Sequence, residues 1–248
     1  MPILFVPGMW QDHRVFDEVR SILIDCGIAS VALPLVTVGA NGPNVGMFSD
    51  ADKLRSALIR VIDEGMEIVI VAHSYGGVVT SNAVKDLGIK QRAAHGLKGG
   101  ITMILFLAAV VLPVGKSFLE VEDHPPWWNV SEDGFMTPMT PLDIFYADVE
   151  PDLANRAVAG LKPSPFQAVA DKSTYDPRDG SFELGYIFCE DDRALSIEAQ
   201  RAMFSQFPTG SFSASLKSSH SPFLSMPDKL AHTIVEAVDH VLGKKPSI

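Results

Sequence analysis

Cysteine is scarce in this chain: two residues, Cys26 and Cys189, in 248. They stand far apart and form no CxxC pair. That excludes a disulfide framework and a thiolate metal cluster, and it fits a reducing compartment, so a cytoplasmic protein is expected. A basic excess is also missing. The formal net charge is −10, which argues against nucleic acid and anionic membrane surfaces as partners. No apolar run reaches the ~20 residues that a membrane span needs, and the longest covers residues 103–112. The opening MPILFVPGMW has no basic leader and reads as a first core strand. There is no glycine-rich phosphate loop, and His13, His95, His124, His232 and His240 show no metal-ligand spacing. No cofactor and no metal are therefore expected.

What the chain does have is apolar residues, 47% of the total, enough for one large α/β domain. Short apolar runs alternate with helical patterns. Residues 3–6, 28–33, 68–72, 101–108, 182–189 and 212–216 read as strands. Between them, residues 15–26 recur at helical spacing until Gly27. A helix capped by Ser49 follows, then one from Ser74 to about Leu87, one over 196–207, and a last one from about Pro227. Residues 90–100, KQRAAHGLKGG, read as a surface connection. Six strands alternating with helices predict an α/β, doubly wound, mostly parallel six-stranded sheet.

The rhythm breaks at residues 113–178, which are rich in proline and aromatics with no clear strand. The expected organisation is a core of residues 1–112 and 179–248 with a helical cap insertion at 113–178. Trp127, Trp128, Phe135, Met136, Met139, Phe145 and Tyr146 would give that cap an apolar, adaptable surface for a hydrophobic small-molecule substrate. Asp143 and Asp148 read as helix caps, and His124 is a further candidate to touch substrate. A homodimer through a cap helix is compatible with the sequence.

VAHSYGGVVT, residues 71–80, raises the functional question. A buried strand turns sharply around Ser74 into a helix. Such a turn strains the backbone and demands small residues two before and two after the serine, here Ala72 and Gly76. It lifts the hydroxyl off the strand's C-terminal edge and frees the Tyr75 N–H to bind an oxyanion. Ser74 as a simple helix cap is the alternative. Chain order favours the nucleophile: FCEDDRAL follows the fifth strand and SSHSPF the last, where an acid and a histidine are required. Asp192 is favoured as the acid because an apolar residue and then a helix follow it at the right distance. Asp191, or an acid after the preceding strand, remains open. His73 reads as a packed core histidine.

These segments, with FVPGMW, CEDDRAL…EAQRAM and SSHSPFLSMPDKLA, resemble the α/β-hydrolase superfamily. The similarity is to its small plant, bacterial and fungal branch of salicylate- and jasmonate-ester esterases, methylketone-forming thioesterases and cyanohydrin lyases. The resemblance implies Ser74 as nucleophile, His220 as general base and Asp192 as its partner, with Met9 and Tyr75 N–H groups as oxyanion donors. The family usually has His-Gly where this chain has Pro7-Gly8, so the loop must be braced by other groups. Gly8 allows the close turn, and Trp10 either lines the pocket or packs beneath the loop. The implied activity is a serine hydrolase acting on a small apolar or aromatic ester, thioester or lactone through an acyl-enzyme. Two alternatives share the scaffold: a lyase, decarboxylase or cyclase using Ser74 and His220 as a proton relay, and a non-catalytic small-molecule receptor. Ser221 after the histidine, where the plant cyanohydrin lyases carry lysine, counts against cyanohydrin cleavage.

Overall fold

A computed structural model of the chain describes residues 1–121, 125–179 and 182–243. Its central strands carry continuous apolar sequence because both faces of the sheet are covered. The six are β1 (Ile3–Val6), β2 (Ser30–Ala32), β3 (Glu67–His73), β4 (Gly100–Leu107) and, numbered past three short strands described below, β8 (Glu183–Cys189) and β9 (Phe212–Leu216). They lie in the order β2-β1-β3-β4-β8-β9, every neighbouring pair parallel. From β1 the chain runs outward to β2 and then crosses back to β3 on the opposite side. The loops after β1 and β3 therefore part at a topological switch point, where an open parallel sheet places its ligand crevice.

Alternation along the strands splits the core into two layers. Val69 and Val71 face α1 (Asp17–Asp25) and α11 (Pro227–Gly243), meeting Val19, Leu23, Leu230 and Ile234. Ile68, Ile70 and Ala72 face the layer of α2 (Met47–Asp63) and α3 (Gly76–Ala83), meeting Leu54, Leu58, Ile62 and Val78. None of the helices among the described residues is long and apolar enough to cross a membrane.

Local reading of the sequence erred where distant groups decide. Ser49 does not cap α2. The helix starts at Met47, whose N–H donates to the Asp171 carboxylate at 2.8 Å, a cap supplied from far along the chain. The helix after Ser74 stops at Ala83, and part of the expected surface connection folds as α4 (Ile89–Ala94). Arg92 there turns inward, donating to Asp63 at 2.8 Å and to the Lys98 carbonyl at 3.1 Å. Its long apolar stem allows that burial and the paired guanidinium tolerates it.

The segment between β4 and β8 departs from the helical expectation. It contains α5 (Phe118–Val121), α6 (Pro141–Phe145), α7 (Pro151–Ala159) and α8 (Gln167–Ala170). It also contains a three-stranded antiparallel sheet of β5 (Trp128–Val130), β6 (Phe135–Pro138) and β7 (Ser164–Pro165). Strands of two to four residues are too short to show a period, and their prolines mask them further. Two further α-helices among the described residues, α9 (Ile197–Phe204) and α10 (Pro222–Ser225), follow β8 and β9.

Candidate active site

Four loops at the C-terminal edge of the sheet build the site. The first is the turn after β3. Ser74 sits at φ +53°, a left-handed conformation that strains a side-chain-bearing residue and turns the strand sharply into α3. The strain is held by backbone bonds. Ser74 N donates to Leu107 O at 3.2 Å, and its carbonyl accepts from Gly77 N at 3.0 Å and Val110 N at 3.1 Å. The glycines are a packing requirement. A Cβ on Gly76 would stand 2.6 Å from the carbonyl oxygens of both Val6 and Pro7, and one on Gly77 would stand 2.5 Å from Val110 O. The turn therefore nests against the end of β1, beside the Pro7–Gln11 loop.

The second loop supplies the imidazole. His220, between β9 and α10, is 3% exposed. Its Nδ1–H donates to Asp192 Oδ2 at 2.7 Å. That bond sets Nδ1 as a protonated nitrogen, and His220 and Ser74 line the same cavity. The His220 carbonyl accepts from His73 Nε2–H at 2.9 Å. His73 is therefore a hydrogen-bonded core histidine, as its sequence context implies, and burial first, then the His220 ring, push its pKa well below the usual 6.5.

The third loop, after β8, presents the acid. Asp192 is buried, whereas Glu190 and Asp191 face solvent. Its Oδ1 accepts from Ala194 N at 2.8 Å and Leu195 N at 3.0 Å, and its Oδ2 also accepts from Gln200 Nε2 at 3.3 Å. These donors hold the carboxylate in place against His220. Gln200, fully buried, ties the loop down by bonding both backbone groups of Cys189, donating to its carbonyl at 3.1 Å and accepting from its N–H at 3.0 Å.

The β1 loop carries Gly8, Met9 and Trp10, all against the same cavity. Neither the Met9 N–H nor the Tyr75 N–H has another acceptor among the described residues. The brace that Pro7 cannot give comes from the insertion. Trp10 Nε1–H donates to Met136 O at 2.9 Å, and Lys162 N donates to Trp10 O at 3.0 Å. Trp10 thus both packs and lines, with its ring 5.8 Å from those of Trp127 and Phe145. The cavity itself encloses about 40 Å³ and is walled chiefly by Trp10, Trp127, Trp128, Phe145, Phe118, Val110, Val169 and Leu195.

Residues 3–233 match the family described as the alpha/beta hydrolase family. The chain belongs to that family. As a member, it is 26% identical to the alpha/beta hydrolase nvfD of Aspergillus novofumigatus, with 97% of each chain aligned. It is 23% identical to methyl jasmonate esterase 1 of Vitis vinifera over 94% of this chain and 93% of that one. Among solved structures, polyneuridine aldehyde esterase superposes with a TM-score of 0.77 at 16% identity, covering 96% of this chain and 100% of that one. A pyrethroid hydrolase, PytH, gives 0.76 at 20% identity, covering 96% and 97%. The structural likenesses carry the fold; the esterases among the sequence relatives support hydrolase activity.

Of the residues singled out in the hydrolase sequence, Ser74, His220, Met9, Tyr75, Gly8, Trp10, Trp127, Trp128 and Phe145 line one cavity, and Asp192 stands directly behind His220. Met136 and Tyr146 do not line it. Met136 is fully buried in β6 behind Trp10, and Tyr146 lies behind Gln11. Met139 points outward, 44% exposed. His124 lies outside the described residues. Asp143 and Asp148 are not helix caps: Asp143 pairs with Arg193, and Asp148 accepts from Ser219 N at 3.0 Å and from its hydroxyl, tying the insertion to the histidine loop.

Three residues with clear roles in the site's geometry were missed by sequence reading. Gln200 is one, and a polar residue within the apolar stripe of α9 was its signal. Asp50 is another. It is buried on α2 and accepts from Thr37 N at 3.1 Å, Thr37 Oγ1–H at 2.7 Å, Val36 N, and the Tyr75 hydroxyl at 3.1 Å. It thereby anchors the side chain of Tyr75, a residue that lines the cavity, and burial raises the Asp50 pKa despite those donors. Gln11 is the third.

Proposed function

We propose that this protein is a serine hydrolase that cleaves a small, largely apolar or aromatic ester, thioester or lactone through an acyl-enzyme on Ser74. One observation carries the reading: His220, bonded to Asp192 at 2.7 Å, shares its cavity with a strained, strand-end serine.

In this reading His220 Nε2 takes the Ser74 proton as Oγ attacks the acyl carbon. The developing oxyanion is received by the Met9 and Tyr75 N–H groups, and Asp192 holds the imidazolium that forms. His220 then returns the proton to the leaving oxygen or sulfur, and the alcohol or thiol departs. Water, deprotonated by the same imidazole, attacks acyl-Ser74, and collapse of the second intermediate releases the acid and restores the serine.

The apolar walls select an apolar substrate, and the insertion between β4 and β8 acts as its cap. Trp127, Trp128 and Phe145, which wall the cavity, belong to the insertion rather than to the sheet.

A panel of p-nitrophenyl esters, acyl thioesters and aromatic lactones tests the proposal, with Ser74→Ala as the control. Turnover of at least one class, reduced about a thousandfold or more in the variant, is expected. Turnover that survives the substitution would sink the proposal.

A further inference from the structure

Gln11 is a polar side chain set into the largely apolar wall between the site and an outer groove. It is 4% exposed. It borders the catalytic cavity on one side and, with Tyr146, Leu153 and Leu224, an outer groove on the other. Its Nε2–H donates to the Tyr146 hydroxyl at 3.4 Å. Burial pushes that phenol up to about 12, so it stays protonated and neutral.

The other end of the amide is not satisfied. Gln11 Oε1 is buried without a hydrogen-bond partner. It lies beside the elbow: a Cβ built on Gly8 would be 3.2 Å from Gln11 Oε1 and 3.1 Å from Ser74 Cβ. The nearest other polar side-chain atom, His73 Nδ1, is 2.9 Å from the same point. It offers no proton, because His73 gives its Nε2–H to the His220 carbonyl. Both acceptors pack around Gly8 beside the nucleophile, and no donor among the described residues is supplied to Gln11 Oε1. A buried carbonyl without a donor destabilises the empty site, and a ligand that brings a donor relieves that cost.

We propose that Gln11 is a specificity-determining residue. Its amide carbonyl accepts a hydrogen bond from a hydroxyl on the α or β carbon of the acyl group. The preferred substrates are thus hydroxyacyl esters, thioesters or lactones with an apolar or aromatic body. The proximity of Gln11 Oε1 to Ser74 places the donor next to the scissile carbonyl rather than at the far end of the substrate. The proposal rests on the hydrolase reading above and deepens it. A site built to hydrogen-bond a substrate hydroxyl rejects the analogue that lacks it.

The test uses three matched methyl esters, of 2-hydroxy-, 2-methoxy- and unsubstituted phenylacetic acid. Proton release measures kcat/KM for each, and phenyl acetate serves as a minimal ester. The wild-type protein is expected to favour the hydroxy ester over the unsubstituted one by about tenfold or more. The methoxy ester, which has an acceptor but no donor, should gain nothing. Gln11→Leu should bring the hydroxy preference close to one. Gln11→Glu, which keeps an acceptor, should retain it. Tyr146→Phe, which frees the amide to turn, should weaken it. Because each readout is a ratio between substrates, a general loss of folding or activity does not mimic it.

Equal rates on the hydroxy and unsubstituted esters in the wild-type protein would overturn the assignment, as would a preference for the methoxy ester or a hydroxy preference that survives Gln11→Leu. If phenyl acetate is not cleaved in a Ser74-dependent way, the hydrolase reading itself fails. If it is cleaved but the ratios stay flat, only the role of Gln11 fails.

Discussion

Gly76→Ala puts a number on how tightly the serine turn is seated. The added methyl group would stand 2.6 Å from two carbonyl oxygens, those of Val6 and Pro7. Both belong to the backbone, so no side chain can rotate away. Overpacking of this kind costs about 1–3 kcal/mol, and two fixed contacts place it near the upper end. Alanine's better helix propensity and its less flexible unfolded chain offset up to about 1 kcal/mol. The net loss is about 2 kcal/mol, or roughly 4–8 °C in Tm for a chain of this size. The relief available to the structure is to push the end of β1, with Met9, away from Tyr75. Losing the alignment of one oxyanion donor should lower kcat by about a hundredfold or more. Gly42→Ala is the control, since a Cβ there meets nothing within 4 Å. Differential scanning fluorimetry and steady-state turnover of a p-nitrophenyl ester measure both effects. A Gly76→Ala protein that melts with the wild type and turns over normally would refute the close approach of β1 to the turn.

Other outcomes are equally specific. Asp192→Asn keeps an acceptor for Ala194 and Leu195 N–H but turns an amide toward His220 Nδ1; kcat should fall by about 10⁴-fold through the wrong tautomer, with Tm little changed. Asp148→Ala leaves the Ser219 N–H without its partner from the insertion. Because Asp148 is exposed, stopped-flow kinetics should show a kcat loss of only about threefold to tenfold, with KM less affected. His73 governs acid stability. Its folded pKa lies well below 6.5, so the unfolded chain binds the extra proton, and stability falls as pH drops below 6.5 toward the folded value. Urea unfolding at pH 7.5 and 5.5 should show a loss of about 1 kcal/mol in the wild type that is absent from His73→Asn. Equal losses in both proteins would remove His73 as the cause.

The elements legible in the sequence are those set by near neighbours. β3 and β4 announce themselves by unbroken apolar residues, and the small positions around Ser74 announce the turn. The structure adds why Gly76 is needed: the carbonyls of Val6 and Pro7 press on it from another strand. That Ser74 and His220 line one cavity, with Asp192 bonded behind the imidazole, was legible because chain order and sheet topology together bring the loops after β3, β9 and β8 to one edge. What escaped depends on partners far along the chain. Asp171 caps α2 at Met47, Asp148 holds the histidine loop, and Asp50 holds Tyr75. A lone Asp carries no local mark of such a task. The insertion holds the expected helices, but its three strands are shorter than one hydrophobic period and leave no pattern in the sequence. Met136 and Tyr146, expected in the cavity wall, lie behind it.

The covalent step is the heart of the account, and acid-quench mass spectrometry reaches it most directly. The protein is mixed with an excess of a p-nitrophenyl ester, quenched within milliseconds to seconds, and digested. The account predicts that the peptide bearing Ser74 gains the mass of the acyl group, that the adduct decays in step with turnover, and that neither appears in Ser74→Ala. Steady turnover with that peptide unmodified at every time point, or an adduct on another residue, would contradict it.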